Sequence, residues 1–175
     1  MSLAEAVAIR CLAPADLAAY KALRDTLLAS DPESFTSDAQ GESTKAPSSY
    51  LPRLGLDRPE GGHFVLGAWR GRDLIGAIGC ERDRRSKVQH IGHVIGMMVR
   101  RNERSAGVGR ALLDACIAEA RRAEGLEMLT LTVTASNPRA VRLYEGAGFV
   151  RYGTLVRAIR LDGRFLDKHL MALTL

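Results

Sequence analysis

Aromatic residues are scarce in this chain of 175 residues, where they make up 5% of the sequence. Two arginine-rich runs, ERDRRSK at residues 81–87 and RRNER at residues 100–104, carry no aromatic residues between their charges. Proteins that bind single-stranded nucleic acid combine basic grooves with aromatic stacking platforms, so the composition argues against that partner. The formal net charge of +5 would suit a nucleic acid, a membrane surface or a polyanionic cofactor. We expect the first run to be a solvated loop.

Cysteines are few and scattered, and the chain has no long hydrophobic run. The three cysteines, Cys11, Cys80 and Cys116, form no CxxC pair and have no metal-ligand spacing with histidines. This pattern argues against a disulfide framework and against a structural zinc site. We therefore predict buried thiols and no bound metal. No apolar run reaches the ~18–20 residues of a membrane span. The N-terminal stretch MSLAEAVAIRCLAP lacks the basic start and apolar core of a signal peptide, so we predict a cytoplasmic protein without a membrane partner.

Periodicity indicates an α/β fold. An amphipathic helix opens at Pro14 and Asp16, and further helices are expected over residues 108–123 and 140–146. The order is strand, helix, a β-meander, two strand–helix units and a hairpin around Asp162-Gly163. We therefore predict one domain, residues 1–175, with a mixed central sheet. The predicted strands before the hairpin are residues 7–12, 63–69, 74–81, 89–99 and 128–133.

The segment from residue 31 to residue 62 has no clear period and is rich in Ser, Asp, Glu, Pro and Gly. Long irregular segments inside compact domains are usually functional or disordered. We expect a short helix within it and a loop that meets substrate.

The stretch RNERSAGVGRALL, residues 101–113, places two glycines between a strand and a helix. A glycine turn at a helix N-terminus presents backbone N–H groups to an anion such as phosphate. A Walker loop is excluded because no lysine follows Gly109, and a dinucleotide fingerprint lacks its third glycine at Leu112. What remains is R-x-x-G-x-G, formed by Arg104, Gly107 and Gly109. The alternative is an ordinary glycine turn before a helix.

Two motifs resemble one protein family. MMVRRNERSAGVGRALL is similar to motif A of the GNAT superfamily of acetyl-CoA-dependent N-acetyltransferases, although Ser105 stands where many members have glycine. NPRAVRLYEGAGF, residues 137–149, is similar to the family pattern N-x-x-A-x-x-L-Y-x-x-x-G-F. The resemblance covers residues 75–149 well and both ends more loosely.

The resemblance implies a GNAT fold, with six to seven strands, helices on both faces and a splayed strand pair that holds the pantetheine arm of acetyl-CoA. Main-chain groups of Met97 and Val99 would pair with that arm, and the N–H near Met98 would polarise the thioester carbonyl. Asn137 would bond to the arm; its other reading is a cap for the helix that begins at Pro138, and the two roles are compatible. The pyrophosphate would lie on the turn formed by Arg104, Ser105, Ala106, Gly107, Val108 and Gly109.

Acetyl transfer to an amine needs a base and benefits from an acid. His93 lies four residues before Met97, where some members carry a catalytic glutamate, and an extended strand would point both to one side. Tyr144 matches the family tyrosine and could protonate the departing thiolate. The alternatives are a strand histidine that only hydrogen-bonds, and an aromatic ring that packs beside Phe149.

The acceptor would be a primary amine of a small molecule or of a peptide or protein N-terminus, acetylated directly in a ternary complex. The sequence DPESF resembles a substrate-side loop of some GNAT enzymes, which makes Glu33 and Phe35 candidates on that side. Acidic residues of the irregular segment could attract a cationic amine or could be solvated; they are Asp31, Glu33, Asp38 and Glu42. The competing function is a CoA-binding regulatory module of weak activity, and a homodimer is compatible with either.

Overall fold

Seven strands form one sheet in the computed structural model, which describes residues 6–175. The order across the sheet is β1-β2-β3-β4-β5-β7-β6, and only β4 and β5 run parallel. The predicted mixed sheet is therefore confirmed. The strands are β1 Val7–Cys11, β2 Phe64–Arg70, β3 Asp73–Arg82, β4 Ile91–Val99, β5 Met128–Thr134, β6 Val150–Leu161 and β7 Arg164–Thr174.

Four helices and four short 3-10 segments connect these strands. The helices are α1 Leu17–Ser30, α2 Ala39–Ser43, α3 Val108–Arg122 and α4 Pro138–Gly146. The 3-10 segments are Pro14–Asp16, Pro32–Ser34, Pro47–Leu54 and Arg101–Glu103. The short helix expected inside residues 31–62 is α2, and α4 begins at the proline that suits a first helical position.

Helices cover both faces of the sheet, as predicted. On one face α1 buries Tyr20, Leu23 and Leu27 against Val65 and Ala77 of the central strands. The apolar positions of α3 are packed on the opposite face with residues of β3, β4 and β5; they are Val108, Leu112, Leu113, Cys116, Ile117 and Ala120. We call these the α1 face and the α3 face.

Two expectations about single residues are corrected by the fold. Cys80 and Cys116 are buried as expected, and burial raises the pKa of the Cys80 thiol to about 12. Cys11, expected to be buried, is exposed because it ends the edge strand β1. Arg82, in the run expected to be solvated, is buried as well. Its guanidinium donates to four main-chain oxygens, of Gln89 at 2.6 Å, Glu124 at 2.7 Å, Glu60 at 3.3 Å and Gly61 at 3.4 Å, so it holds three loops together.

Candidate active site

The parallel strands β4 and β5 separate after a short paired stretch. Residues Ile91–His93 of β4 pair with Met128–Thr130 of β5. Within the described residues, these two strands do not pair with each other beyond His93 and Thr130. The gap opens into a cleft of about 670 Å³, lined by residues 94–99 of β4 and 131–134 of β5. That volume lies in the range typical of ligand sites. The splayed pair that the family resemblance implies is therefore present.

A β-bulge at Gly96 changes the side-chain alternation of β4. Ala77 pairs with Met98 but Gly79 pairs with Ile95, so two residues of β4 oppose one residue of β3. Gly96 adopts a φ of 58°, which favours glycine. As a result Met97 packs against the core of the α3 face, while Met98 belongs to the core of the α1 face.

The main chain beyond the bulge divides between β3 and the cleft. The N–H of Arg100 donates to the carbonyl of Ile75 at 2.9 Å, so by strand alternation Met98 also faces β3. Val99 faces the cleft, where its carbonyl accepts a hydrogen bond from Nε of Arg104 at 3.0 Å. Near Met98, the main-chain N–H that faces the cleft is by alternation that of Val99, whereas the N–H of Met98 is turned to β3.

The turn before α3 is held by an ion-pair network. Nη2 of Arg104 lies 2.6 Å from Oδ2 of Asp31, and Arg101 contacts the other oxygen of Asp31 at 2.9 Å. These hydrogen bonds, that from Arg104 foremost, hold the pKa of Asp31 well below its usual range. The carbonyl of Arg104 also accepts a hydrogen bond from Arg139. Arg104, expected to add positive charge for a phosphate, thus has its guanidinium engaged in positioning the turn.

The main chain of this turn offers a group of free donors. Gly107 stands at the N-cap of α3 with a φ of 77°, and a Cβ built on it would meet no atom within 4 Å. Gly107 and Gly109 line the cleft. The helix N-terminus adds partial positive charge at the same place, so the turn is suited to an anion. In residues 6–175, no acceptor is found for the N–H groups of Ser105, Gly107, Val108, Gly109 and Arg110.

The predicted cradle residues divide into two groups. The side chains of Ser105 and Ala106 are exposed, and Val108 is buried in the α3 core. None of these three lines the cleft, so any contribution to binding comes from their main chain. Met97, Met98, Val99 and Arg104 do line it.

Asn137 and Tyr144 lie on the α4 side of the cleft. Oδ1 of Asn137 accepts a hydrogen bond from the N–H of Ala140 at 3.1 Å, so Asn137 caps α4 and also borders the cleft. Tyr144 is buried and packs edge-on against Phe149, with ring centroids 5.9 Å apart. Burial raises the pKa of Tyr144 far above its ordinary value. A tyrosine is already protonated at neutral pH at its ordinary pKa of about 10, so the phenol carries the proton that a donor needs.

His93 does not share a face with Met97, because the bulge intervenes. It is exposed on the α1 face, where its Nδ1 lies 2.6 Å from Oγ1 of Thr130. It is not among the residues that line the cleft. Its register partner on β3 is Glu81, and such cross-strand partners have Cβ atoms about 5 Å apart. Glu81 does line the cleft, and the sequence analysis missed it, although a lone acid ending an apolar strand was a signal.

Most acids of the irregular segment are already paired. Asp38 caps α2 through the N–H of Gly41 at 2.6 Å. Glu42 is buried and binds Nε of Arg24 at 2.8 Å. With Asp31 also paired, these three side chains are not free to attract an amine.

The DPESF loop reaches the cleft through one of its two candidate residues. The main-chain oxygen of Glu33 accepts a hydrogen bond from Thr134 at 2.7 Å, but its exposed side chain does not line the cleft. The ring of Phe35 does.

Two negative observations concern residues 6–175. No group of three or more His, Cys, Asp or Glu side chains there is arranged to hold a metal ion. No helix in that range is long and apolar enough to cross a membrane.

The sequence around this cleft matches a known protein family. The model of the acetyltransferase (GNAT) family matches residues 20–149. The chain belongs to this family, which places it among the acyltransferases.

Solved structures agree with this assignment. A GNAT-family acetyltransferase of Streptococcus pneumoniae is 27% identical over 97% of this chain and 99% of its own, with a TM-score of 0.86. A Salmonella typhimurium protein solved with its cofactor acetyl-CoA has the same fold, with a TM-score of 0.83 at 21% identity, covering 97% of this chain and 94% of its own. A ribosomal-protein-alanine N-acetyltransferase of Brucella melitensis is 25% identical over 96% of this chain and 99% of its own, with a TM-score of 0.78.

Curated relatives cover less of their own length. A mycothiol acetyltransferase of Salinispora tropica is 31% identical over 88% of this chain and 48% of that protein. A second, from Thermobispora bispora, is 45% identical over 35% of this chain and 21% of that protein. The chain therefore spans about half the length, at most, of these two relatives.

Proposed function

We propose that this protein transfers the acetyl group of acetyl-CoA to a primary amine by direct attack in a ternary complex. The observation that carries the proposal is the continuity of the free N–H groups before α3 with the gap between β4 and β5. One end of this path suits a pyrophosphate and the other suits an extended arm that completes the sheet.

Within this cleft, residues of the turn bind and orient the cofactor. The N–H groups of Ser105, Gly107, Val108 and Gly109 would hold the pyrophosphate, and Arg104 would keep their turn in place. Met97 and Val99 would align the arm along β4, and Asn137 would border it from α4. Acetyl-CoA supplies the thioester whose carbonyl carbon the amine attacks.

Proton transfer would use the two faces of the sheet. Tyr144, on the α4 side, donates its proton to the thiolate that leaves. On the α1 face, Glu81 lines the cleft and receives the proton of the incoming ammonium, directly or through water. His93, the base expected from the sequence, is the exposed register partner of Glu81 on β4. It would pass that proton from Glu81 to solvent.

The relatives support two classes of acceptor. One relative carries the name mycothiol acetyltransferase and one solved neighbour the name ribosomal-protein-alanine N-acetyltransferase. The first name supports a small-molecule acceptor and the second a protein one. We retain both a small molecule and a peptide or protein N-terminus.

Acetyl-CoA, a thiol-detecting dye and a panel of amines test the proposal. Release of CoA that depends on an amine, with the acetylated product identified by mass spectrometry, is the expected result. Calorimetric binding of CoA without turnover on any amine would instead support the regulatory module.

We further propose that residues 1–175 form a single acetyltransferase domain that is cytoplasmic, binds no nucleic acid and forms a homodimer. Exposed apolar side chains on the edge strand β6 and on β7 support self-association; they are Val150, Tyr152, Leu155, Val156 and Phe165. Sedimentation velocity tests this: Tyr152→Glu should yield monomers, and a wild-type monomer at micromolar concentration would contradict it.

A further inference from the structure

We propose that the acceptor amine also bears a carboxylate, and that Lys168 binds this carboxylate at the mouth of the cleft. The inference rests on the proposed acetyl transfer and names the substrate class for it. It starts from the two sides of the cleft.

The cleft passes through the sheet, and its two sides are lined differently. Leu131 and Val133 of β5 point into the core of the α3 face, where α4 and Tyr144 lie. The alternate residues Thr132 and Thr134 point to the α1 face. Thr134 is the register partner of Lys168 on β7, so Lys168 lies on the α1 face too. The pyrophosphate turn begins α3, which packs on the other face, so the α1 face is where the acceptor enters.

Lys168 has no counterion on this face. Its Nζ donates to Oγ1 of Thr36 at 2.5 Å and reaches Oγ1 of Thr132 at 3.5 Å. Among the residues that the structure describes, no carboxylate lies within 4.0 Å of it. A single ammonium flanked by two hydroxyls matches a compact anion of one negative charge.

The other cations of the cleft have partners inside the protein. Arg24 pairs with Glu42, Arg104 with Asp31, and Arg110 with Asp114 at 2.9 Å. Arg139 donates to a main-chain oxygen. Arg53 lies 4.0 Å from Glu81, at the limit of an ion pair. The charge left over on the acceptor side is therefore positive, and it is concentrated at Lys168.

Half-burial lowers the pKa of Lys168. Burial disfavours the ammonium when no anion compensates it. A bound carboxylate would remove this penalty, whereas a second cation at the same place would add to it. The site thus discriminates against polyamines and favours amino acids.

The experiment compares L-amino acids with their neutral C-terminal amides, which keep the amine and the shape but lose the charge. Rates are corrected for the fraction of free amine at each pH. Wild-type protein should show a kcat/KM at least about tenfold higher for the acid than for its amide, as expected for a hydrogen bond to a charged group.

Three variants assign that preference to Lys168. Lys168→Met should abolish the preference by raising KM for the acid, while kcat/KM for the amide stays within about twofold. Lys168→Arg keeps the charge and should retain most of the preference. Lys87→Met, at an exposed lysine outside the cleft, should change neither rate.

Equal use of acid and amide by the wild type would overturn the inference and leave acetyl transfer intact. The same holds if Lys168→Met slows both acceptors equally. Absence of turnover with every amine would instead remove the proposed function, and this inference with it.

Discussion

Oδ2 of Asp31 accepts a hydrogen bond from Nη2 of Arg104 at 2.6 Å, across 73 positions of sequence. This pair joins the C-terminal end of α1, on one face of the sheet, to the turn that begins α3 on the other. Because Arg104 also binds the carbonyl of Val99, the pair fixes the turn relative to β4. Cofactor binding should therefore depend on a residue that does not touch the pyrophosphate.

Asp31→Asn tests this relationship. It removes the charge that holds Arg104 and Arg101, so the turn should lose its fixed position. We expect the affinity for CoA, measured by calorimetry, to fall roughly fivefold, equivalent to about 1 kcal/mol. Asp57→Asn breaks an exposed pair with Arg84 and should leave affinity unchanged. Equal affinities for all three proteins would show that the pair does not position the turn.

Gly107→Asp tests the cradle itself. The new carboxylate would stand where the pyrophosphate binds, and repulsion at about 4 Å should reduce CoA affinity at least about 100-fold. Gly163→Asp is the matched control, because Gly163 has a φ of 75° and an equally open Cβ position, but lies in the β6–β7 turn. Both variants carry similar backbone strain. If both bind CoA equally well, the pyrophosphate lies elsewhere.

Glu42 should make stability depend on acid pH. Burial acts to raise its pKa, but hydrogen bonds from Lys45, Tyr50 and Arg24 outweigh this and lower it to about 2. Its ordinary value is 4.5, so the stabilisation is complete above that pH and is lost as pH falls toward 2. Glu42→Gln leaves Arg24 buried without its partner and should cost about 3–5 kcal/mol at pH 7.

Denaturant titrations between pH 7 and pH 3 measure this effect. The difference between wild type and Glu42→Gln should shrink as the pH falls, because protonation removes the same charge in the wild type. An exposed control, Asp57→Asn, should show no comparable difference at pH 7. A constant difference across the range would contradict the assignment.

Local patterns in the sequence were sufficient for the elements of this fold. The apolar spacing of α1 and the alternation of the strands predicted the helix and the strands of a mixed sheet, and the glycines before α3 indicated an anion-binding turn. Helices, strands and turns depend on residues that are neighbours in sequence. The splayed pair followed only from the resemblance that the two motifs carry.

Features that depend on distant pairing could not be predicted in the same way. The bulge at Gly96 moved His93 to the other face from Met97; a glycine inside a strand indicates that a bulge can form there, but not that the register shifts at that residue. Arg104 was expected to meet a phosphate, but its partner Asp31 is brought to it only by the packing of α1. Lys168 and Glu81 reach the cleft from β7 and β3, because the sheet order places those strands around it.

Tyr144→Phe tests the acid. The change removes the hydroxyl and keeps the ring that packs on Phe149. Turnover should fall on the order of 10–1000-fold where chemistry limits the rate, while CoA affinity stays nearly unchanged. Tyr152→Phe, at an exposed tyrosine of β6, should have wild-type turnover. Unchanged turnover in Tyr144→Phe would reduce this residue to a packing role.

The last prediction separates Glu81 from His93 as the group that takes the proton of the amine. Glu81 of β3 lines the cleft. His93 is its register partner on the neighbouring strand β4, does not line the cleft, and has its Nδ1 at hydrogen-bond distance from Thr130. We expect Glu81→Gln to lower kcat/KM at least about tenfold, and His93→Gln to lower it less than about threefold. Glu127→Gln, at an exposed acid before β5, should change neither value.

The pH profile of kcat/KM decides between the two. If His93 were the base, the rise of kcat/KM with pH would depend on that residue. If that rise vanished in His93→Gln together with most of the rate, while Glu81→Gln remained active, the histidine would be the base. A rise that survives in His93→Gln, with the large loss confined to Glu81→Gln, is the result that the cleft geometry predicts.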